Sequence, residues 1–466
     1  MVAWIGVDLG TQSVRAVLAG DDGTVLAHTA RPLTSTRTGD RHEQDPHEWI
    51  TAVENVLAEV ATPEVRGLAI CSTSGTVLLT DRAGRPAGPA LMYDDARAAA
   101  ILPKVVAADP GRWATSMQPT WALPKILWLA RGDHLVAHSA DVVAADLAGH
   151  PVATDTSHAL KTGYDLTVGP IGAWPVEAYE RLGLAPDLLP EVVLPGTEIG
   201  RVSAAKAKVT GLPEGTPILA GMTDGCAAQL AAGALSPGAW NSVLGTTLVL
   251  KGVTKDLIED PTGAVYSHRH PDGGWLPGGA SNTGAGALTT MLPGADLEAL
   301  DRAATELTDT DGPIGATIYP LTKRGERFPF VAPDAEGFEL GEIQDDLHRY
   351  IAVQQGVAFV ERLAFDHLVR LGAEPLRSVS LTGGAVRSDH WNQLRADVLG
   401  VPVELPAAPD PAFGMAVLAA SAGTSVTETA GRMVRVARVI EPRSRPRLDE
   451  LYSAFVAELE TRGYLR

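Results

Sequence analysis

The chain has 466 residues, 45% hydrophobic and 20% charged, so two or three globular domains with sizeable cores are expected. Its 38 basic and 56 acidic residues give a net charge of −18, which argues against a nucleic-acid or anionic-membrane partner but not against a small phosphorylated ligand. The two cysteines form no CxxC pair, no apolar run reaches the roughly 18 residues of a membrane span, and the N-terminus lacks a signal-peptide pattern, so we expect a cytoplasmic metabolic protein.

The first predicted element is a β-hairpin with polar residues at its turn. IGVDLG and SVRAVLAG read as strands, and DDG is a turn before a third strand, TVLAHTA. Backbone N–H groups of a turn containing Gly10 and the hydroxyls of Thr11 and Ser13 could bind phosphate, and Asp8 could hold Mg²⁺ directly or through water. The alternative is an Asx-type turn that only caps the hairpin.

The next elements alternate between helix and strand. HEWITAVENVLAEV has helical spacing, and RGLAICSTSGTVLLTDRAGRPAGPALMY reads as strand, strand, turn and strand, so an α/β architecture is expected. Polar groups follow these strands and could bind the hydroxyls of a polyol; the alternative is a solvated loop with an Asp–Arg ion pair. They are Ser72, Thr73, Ser74 and Thr76 in the first run, and Tyr93, Asp94, Asp95 and Arg97 in the second.

Asp224 lies between an apolar strand and a helix of small residues in PILAGMTDGCAAQLAAGAL. A carboxylate at the carboxyl end of a strand is where α/β proteins bind ligands, and it could act as the general base of a phosphoryl transfer. The alternative is a helix N-cap, which is a common role for aspartate.

A second hairpin follows, in SPGAWNSVLGTTLVLKGVTKD, with the same order of strand, glycine, hydroxyl pair and strand. This repetition predicts two similar halves that divide near Leu235 to Gly238. A long helix, HRYIAVQQGVAFVERLAFDHLVRLG, leads into the strand SVSLTGGA and a helix within RSDHWNQLRADVLG. The turns could admit a phosphate or a flat ring, or could be ordinary strand-to-helix turns. Their residues are Gly245, Thr246 and Thr247, and Gly383, Gly384 and Ala385.

One HxH pair, His268 and His270, lies in the Gly/Pro-rich stretch SHRHPDGG. No cysteine or third histidine is near in sequence, so we expect a solvated loop and assign no metal role.

In their order along the chain, these motifs resemble the FGGY carbohydrate kinases of the actin-like and hexokinase-type ATPase superfamily, over nearly the whole chain. IGVDLGTQSVRAVL is similar to the first phosphate motif of that family, and EQDPHEW to its short early signature. GMTDGCAAQLAAGALSPGAWNSVLGTT resembles the catalytic-aspartate segment running into the second phosphate motif. LTGGAVRSDHWNQLRADVLGVPVELP resembles the adenosine segment, and PAFGMAVLAASAG the small-residue helix after it.

The resemblance implies two ribonuclease-H-like (actin-like ATPase) domains with a cleft between them, and transfer of the ATP γ-phosphoryl group to a sugar hydroxyl with Mg²⁺. It implies a sugar-binding and catalytic domain at 1–235 and a nucleotide-binding domain at 236–466, whose tail after about 425 could pack back on the first. It makes Asp224 the general base, with Asp8 assisting Mg²⁺ and Thr11 and Ser13 contacting the transferring group. The implied nucleotide contacts are Gly10, Gly245, Thr246 and Thr247 at the phosphates, and Gly383, Gly384, Ala385, Trp391 and Asn392 at the adenosine.

The STSGT run followed by MYDDAR is most similar to the D-ribulose kinase subgroup, which implies that Ser74 and Asp224 bind the ketose, with Thr73, Tyr93 and Asp95 near it. The Met-His pair of many xylulose kinases is replaced here by Thr73 and Ser74, and Thr382 stands where a third glycine is usual. We therefore expect a D-ribulose kinase, with a D-xylulose or other ketose or polyol kinase as the alternative and a possible homodimer. A non-catalytic sugar sensor is a further alternative, whereas a nicotinamide-dependent dehydrogenase is disfavoured because no GxGxxG follows the first strand.

Overall fold

The computed structural model describes residues 2–130 and 132–465, with residue 311 described by its backbone only. The chain forms two compact units, each described here by itself. The first comprises Met1–Gly233, His268–Gly274 and Asp410–Val434, and the second comprises Ala234–Ser267, Trp275–Pro409 and Arg435–Arg466.

The first unit begins with the predicted hairpin and continues with alternating strands and helices. Its strands are β1 (Ala3–Leu9), β2 (Ser13–Gly20), β3 (Val25–Pro32), β4 (Thr36–Thr38), β5 (Arg41–Gln44), β6 (Val65–Ser72), β7 (Val77–Thr80), β8 (Ala90–Leu91), β9 (Leu135–His138), β10 (Thr154–Asp155), β11 (Val192–Val193), β12 (Glu198–Arg201) and β13 (Pro217–Leu219). Its helices up to Gly233 are α1 (Pro46–Val60), α2 (Leu102–Ala108), α3 (Pro110–Trp113), α4 (Ala122–Leu129), α5 (Ser139–Ala148), α6 (Thr156–Ala159), α7 (Val176–Leu182), α8 (Ala204–Thr210) and α9 (Asp224–Ala231).

A six-stranded sheet in the order β12-β13-β6-β1-β2-β3 forms the centre of the first unit. β1, β2 and β3 are antiparallel neighbours, whereas β1, β6 and β13 run parallel to one another. β1 and β6 are buried along nearly their whole length because helices cover the sheet, and α1 packs Trp49, Val53, Val56 and Leu57 into its core. The carboxyl ends of the three parallel strands therefore meet at one edge.

The second unit repeats this plan. Its strands are β14 (Trp240–Leu244), β15 (Leu248–Gly252), β16 (Tyr266–Arg269), β17 (Trp275–Ala280), β18 (Thr317–Tyr319), β19 (Phe338–Leu340), β20 (Val379–Thr382), β21 (Val403–Pro406) and, after the segment of the first unit, β22 (Val436–Ile440). Its helices are α10 (Gly286–Met291), α11 (Leu297–Asp311), α12 (Asp346–Arg370), α13 (Asp389–Leu399) and, near the C-terminus, α16 (Pro446–Thr461).

The main sheets of the two units have the same sequence of parallel and antiparallel strand pairs over six strands. In the second unit β14 and β15 form an antiparallel hairpin, β15 pairs antiparallel with β17, and β14, β20 and β21 run parallel. β22 closes the far edge antiparallel to β21, as β12 does beside β13. The predicted α/β fold of two similar halves is confirmed.

The segment 410–434 supplies α14 (Pro411–Ala420) and α15 (Val426–Met433) to the first unit. Every residue of α14 from Ala412 to Ala420 is buried, and the helix packs on β1. A Cβ atom on Gly6 would lie 1.8 Å from the carbonyl oxygen of Ala412, so only glycine lets the strand and helix approach this closely. This packing brings Asp410, the N-cap of α14, to the same unit as Asp8 and Asp224.

Candidate functional site

Three predicted segments meet at the carboxyl edge of the parallel strands in the first unit. Asp8 of β1 is paired with Cys71 of β6, and Leu9 with Ser72. Ser72 also forms a parallel bridge with Thr223, immediately before Asp224. The register therefore brings the first hairpin, the hydroxyl-rich run after Ser72 and the turn at Asp224 to one edge of the sheet, which is where ligands bind in α/β folds.

Asp8 is only 4% exposed, and its surroundings favour the neutral carboxylic acid. Burial, together with the nearby carboxylates of Asp410 and Asp224, raises the pKa of Asp8 to about 7. Arg15, which donates from Nη1 to Asp8 Oδ2 at 3.2 Å across the hairpin, and the thiol of Cys71 oppose this rise. A cation bound at Asp8 would offset the cost of burying the carboxylate charge and the repulsion from the neighbouring carboxylates.

Replacing Asp8 by asparagine is expected to flatten the pH dependence of stability of the metal-free protein. The folded state holds the Asp8 proton up to a pH of about 7, whereas the unfolded chain releases it near 3.8, so stability falls as the pH rises through this window. The raised pKa corresponds to a loss of up to about 4 kcal/mol above pH 7, which Asp8→Asn removes. Thermal midpoints at pH 5 and pH 8 test this; the exposed Asp40→Asn is the control, and parallel pH profiles for Asp8→Asn and wild type would contradict it.

The turn after Asp8 is tightly closed. The Gly10 N–H donates to Ser13 O at 3.1 Å, and Gln44 Nε2 donates to the Thr11 carbonyl at 2.6 Å, which ties the turn to β5. Thr11 and Ser13, on either side of Gln12 in this turn, are half-buried.

Asp224 is the first residue of α9, and its half-buried carboxylate accepts the Gly225 N–H at Oδ1 over 2.8 Å. The N-cap is Thr223, so the alternative reading of Asp224 as the cap is wrong. A carboxylate at N1 still benefits from the dipole of the helix. Its position after a parallel strand is the one that the sequence predicts for a base.

The residues from Ser72 to Thr76 lead from β6 into a loop, in which one buried hydroxyl has no hydrogen-bond partner among the described residues. Thr73 Oγ1 and Thr76 Oγ1 are hydrogen-bonded at 2.6 Å, and Lys161 Nζ donates to the Ser74 carbonyl at 3.3 Å. The Ser74 hydroxyl oxygen is buried and has no hydrogen-bond partner among residues 2–130 and 132–465. An unsatisfied buried hydroxyl is costly, so a ligand hydroxyl would improve this position.

In the polar cluster after β8, Asp95 is bonded to other side chains and backbone of the protein. Asp95 is completely buried, accepts the His42 N–H at 2.7 Å and forms a bidentate ion pair with Arg97. Its oxygens are occupied by these partners, so the structure does not favour the predicted contact of Asp95 with a sugar. The ion pair of the alternative reading is present, although it is buried rather than solvated. Tyr93 is 42% exposed.

In the second unit, the predicted phosphate turn links β14 and β15. The Gly245 N–H donates to Thr247 O at 3.1 Å, and the carbonyls of Gly245 and Thr246 accept N–H groups of Ala285 and Gly286 at the start of α10. The Thr246 side chain is exposed and that of Thr247 half-buried. The turn is therefore not enclosed within the core of the second unit.

The predicted adenosine turn follows β20. Gly383 has φ +89°, and a Cβ atom there would lie 2.6 Å from Leu244 O, so the turn requires glycine. Gly384 and Ala385 begin a short 3-10 turn, and a Cβ atom on Gly384 would meet nothing within 4 Å. Thr382, at the position of the usual third glycine, is buried and donates to Asn241 Oδ1 at 3.1 Å.

Two residues predicted beside the adenine belong instead to the interior of the second unit. Trp391 is 2% exposed, packs in the hydrophobic core and donates its indole N–H to Gln354 O at 3.2 Å. This packing leaves no ring face for a ligand, so the predicted contact of Trp391 is not supported. Asn392 is fully buried and donates to Val386 O at 2.7 Å, which stabilises the turn after Gly384.

The HxH pair is also buried, since His268 and His270 are 2% and 3% exposed, and the expectation of a solvated loop is wrong. Among the described residues, no group of three histidine, cysteine, aspartate or glutamate side chains is arranged to hold a metal ion.

A third carboxylate, that of Asp410, acts on Asp8 together with Asp224, and it was not predicted from the sequence. It caps α14 by accepting the Ala412 N–H at 2.9 Å, and its charge raises the pKa of Asp8. Its signal in the sequence is DPAFG, an aspartate followed by proline at the start of a helix.

Comparison with known proteins identifies the family of the chain. Residues 3–231 match the sequence profile of the N-terminal domain of the FGGY family of carbohydrate kinases, and residues 240–423 match that of its C-terminal domain. The chain belongs to the FGGY family of carbohydrate kinases. It is therefore a sugar kinase, an FGGY phosphotransferase whose family uses ATP and typically a divalent metal, and the predicted family and enzyme class are confirmed.

Individual relatives of this FGGY kinase act on several sugars. A xylulose kinase of Streptomyces coelicolor is 30% identical over 449 residues, covering 92% of this chain and 90% of the relative. A gluconokinase of Bacillus subtilis is 26% identical, covering 86% and 84%. A solved structure described as a xyloylose kinase from Brucella ovis matches with a TM-score of 0.89 at 27% identity, covering both chains completely. Across residues 2–130 and 132–465, no helix is long and apolar enough to span a membrane.

Proposed function

We propose that this FGGY kinase phosphorylates a ketopentose, with D-ribulose as the first candidate, at its terminal hydroxyl with Mg-ATP in the cytoplasm. The main support for the proposal is that the segments containing Asp224 and Ser74 lie at the same edge of the sheet. The bridge between Ser72 and Thr223 joins the two segments. A half-buried carboxylate, and a hydroxyl with no hydrogen-bond partner in the described part of the chain, therefore follow neighbouring strands. This pair fits a sugar that needs both proton removal and hydroxyl recognition.

In this proposal Asp224 accepts the proton of the attacking hydroxyl while the side chains around it hold the sugar. Asp8 would hold Mg²⁺, directly or through water, which fits its burial beside two other carboxylates; bound Mg²⁺ supplies charge neutralisation at the phosphates. Thr11 and Ser13 contact the transferring group, and Gly245, Thr246 and Thr247 hold the phosphates of ATP. Gly383, Gly384 and Ala385 border the adenosine. Phosphoryl transfer depends mainly on such positioning and charge neutralisation.

The choice of D-ribulose rests on Ser74 and the STSGT run around it. D-Xylulose is the second candidate because several of the similar proteins are named xylulose kinases. A coupled ADP-release assay with Mg-ATP and D-ribulose, D-xylulose, L-ribulose, L-xylulose, gluconate, glycerol and ribitol distinguishes them. A higher kcat/KM for D-ribulose than for all others supports the proposal, whereas a preference for D-xylulose replaces the sugar and keeps the ketopentose class.

Ser74→Ala is expected to raise KM for the sugar about 10-fold while KM for ATP changes less than about twofold. The substitution removes the one hydroxyl of this loop that has no described protein partner, and a lost hydrogen bond to a ligand hydroxyl has about this effect. Thr73→Val is a useful comparison because the Thr73 hydroxyl is already bonded to Thr76. Steady-state kinetics with each substrate varied in turn gives both constants. An equal rise in both KM values would point to a defect in folding or closure of the protein and contradict direct recognition by Ser74.

A further inference from the structure

A chain of buried polar side chains leads from the interior of the first unit to the turn that carries Asp224. Asp155 Oδ2 and His158 Nδ1 are hydrogen-bonded to each other, and both residues are at least 98% buried. His158 Nε2 lies 2.9 Å from Ser72 Oγ at the end of β6, and Ser139 Oγ donates to the same oxygen at 2.8 Å. Of these residues, only Ser72 is among the polar groups that the sequence suggests for binding a polyol.

A second branch of the chain reaches α9 directly. Asp155 Oδ1 accepts both the Ser157 N–H, at 2.7 Å, and the Ser157 hydroxyl, at 2.5 Å. Because the hydroxyl hydrogen is directed to Asp155, Ser157 Oγ is free to accept, and it accepts the Thr223 N–H at 2.9 Å. Thr223 is the N-cap of α9 and makes no capping hydrogen bond with its own side chain within the described residues. The bond to Ser157 therefore holds the backbone immediately before Asp224.

The pKa values of Asp155 and His158 shift in the directions expected when the two side chains are hydrogen-bonded to each other. Burial alone would lower the pKa of His158, but the Asp155 carboxylate, with Asp141 and Asp224 further away, raises it on balance. Burial likewise opposes ionisation of Asp155, yet His158 and the bonds from Ser157 lower its pKa. The only other histidine ring described beside His158 is that of His138, 5.7 Å away, which is itself bonded to Asp141, Thr154 and Thr162. The interior of this unit therefore holds a hydrogen-bonded histidine–carboxylate pair whose two branches end at Ser72 and Thr223.

We infer that Asp155, Ser157 and His158 are positioning residues, which fix the turn at Asp224 against the end of β6 so that its carboxylate meets the sugar hydroxyl. This inference rests on the proposed function, in which Asp224 is the base. The buried group is bonded to Ser72 and Thr223, which also form the bridge between the two segments. The same three residues, the anchor, therefore fix both the loop that begins at Ser72 and the turn that carries Asp224. Small displacements of a reacting group have large effects on rate, so the anchor acts on kcat.

Ser157→Ala tests the inference because it removes one hydroxyl and leaves the Thr223 N–H buried without its acceptor. We expect kcat to fall about 10- to 100-fold with D-ribulose or D-xylulose, whichever is phosphorylated, while KM for ATP stays within about twofold. Amide hydrogen exchange in peptides covering 222–226 is expected to become at least about 10-fold faster in the variant. The matched control is Thr156→Val, since the neighbouring Thr156 is equally buried and its hydroxyl has no hydrogen-bond partner among the described residues.

Unchanged exchange in 222–226, or faster exchange with wild-type kcat, would overturn the inference. So would an equal loss of kcat in Thr156→Val, because that would indicate a general packing defect. If the wild type phosphorylates neither sugar, the proposed function fails, and the exchange measurement still decides whether Ser157 holds the turn. Thermal midpoints close to wild type establish that both variants are folded.

Discussion

Asp224→Asn is expected to reduce kcat for sugar phosphorylation about 10²- to 10⁴-fold while leaving ATP binding intact. Asparagine has the shape of aspartate and keeps an oxygen that can accept the Gly225 N–H, so the start of α9 is preserved. It cannot accept the proton of the attacking hydroxyl, which is the contribution that the proposal assigns to Asp224. The coupled ADP-release assay measures turnover, and isothermal titration calorimetry measures ATP binding.

The control for this variant is Asp296→Asn, at an exposed helix N-cap in the second unit where asparagine caps as well as aspartate. It is expected to leave turnover unchanged. Near wild-type turnover in Asp224→Asn would exclude Asp224 as the base. Loss of ATP binding in the same variant would assign Asp224 a structural role instead. A wild type that binds a sugar of the panel without turnover would support the alternative of a sugar sensor.

The largest expected effect on stability is that of Arg395→Met in the second unit. Arg395 of α13 donates from Nε and Nη2 to Glu361 of α12, each at 2.7 Å, and from Nη2 also to Ser242 of β14 at 2.7 Å. The two charged side chains are 1% and 0% exposed. Methionine would leave the Glu361 carboxylate buried without its partner, which is expected to lower the free energy of unfolding by about 3–5 kcal/mol. Thermal and urea denaturation would show this loss.

The double variant Arg395→Met with Glu361→Leu is expected to recover most of the lost stability, because no unpaired charge then remains in the interior. Arg447→Met serves as the exposed control, since Arg447 and Glu450 form a surface pair with side chains 54% and 66% exposed, and it is expected to have little effect. A double variant as unstable as Arg395→Met alone would mean that packing around the guanidinium, rather than charge pairing, carries the stability.

The local elements of both units could be predicted from the sequence because each depends on neighbours in the chain. The first hairpin, the helix from Pro46 to Val60 and the hairpin around Gly245 follow from strand alternation, helical spacing and turn residues, and all three lie where they were expected. Asp224 at the junction of strand and helix was equally visible. These features need only a few consecutive residues to form.

The structure departs from the sequence-based expectations at residues whose surroundings depend on what packs against them. Trp391 is adjacent to the predicted adenosine turn in sequence, but its position on α13 directs it into the core against α12. Asp95 follows a strand as a ligand-binding carboxylate would, yet Arg97 and His42 occupy its oxygens. His268 and His270 stand in a Gly/Pro-rich stretch and are nevertheless buried. Burial is a property of the assembled unit, so a short motif does not reveal it.

The sequence by itself determined the family, the duplicated α/β plan and the order of the candidate site residues, because these are encoded in local periodicity and in motifs of consecutive residues. Only the tertiary structure decided which charges meet. It brought Asp410 from the far end of the chain to the edge with Asp8 and Asp224, and it joined Asp155, Ser157 and His158 to Ser72 and Thr223. The physical reason is that electrostatic and hydrogen-bond partners are selected by strand register and helix packing, which join residues separated by tens to hundreds of positions.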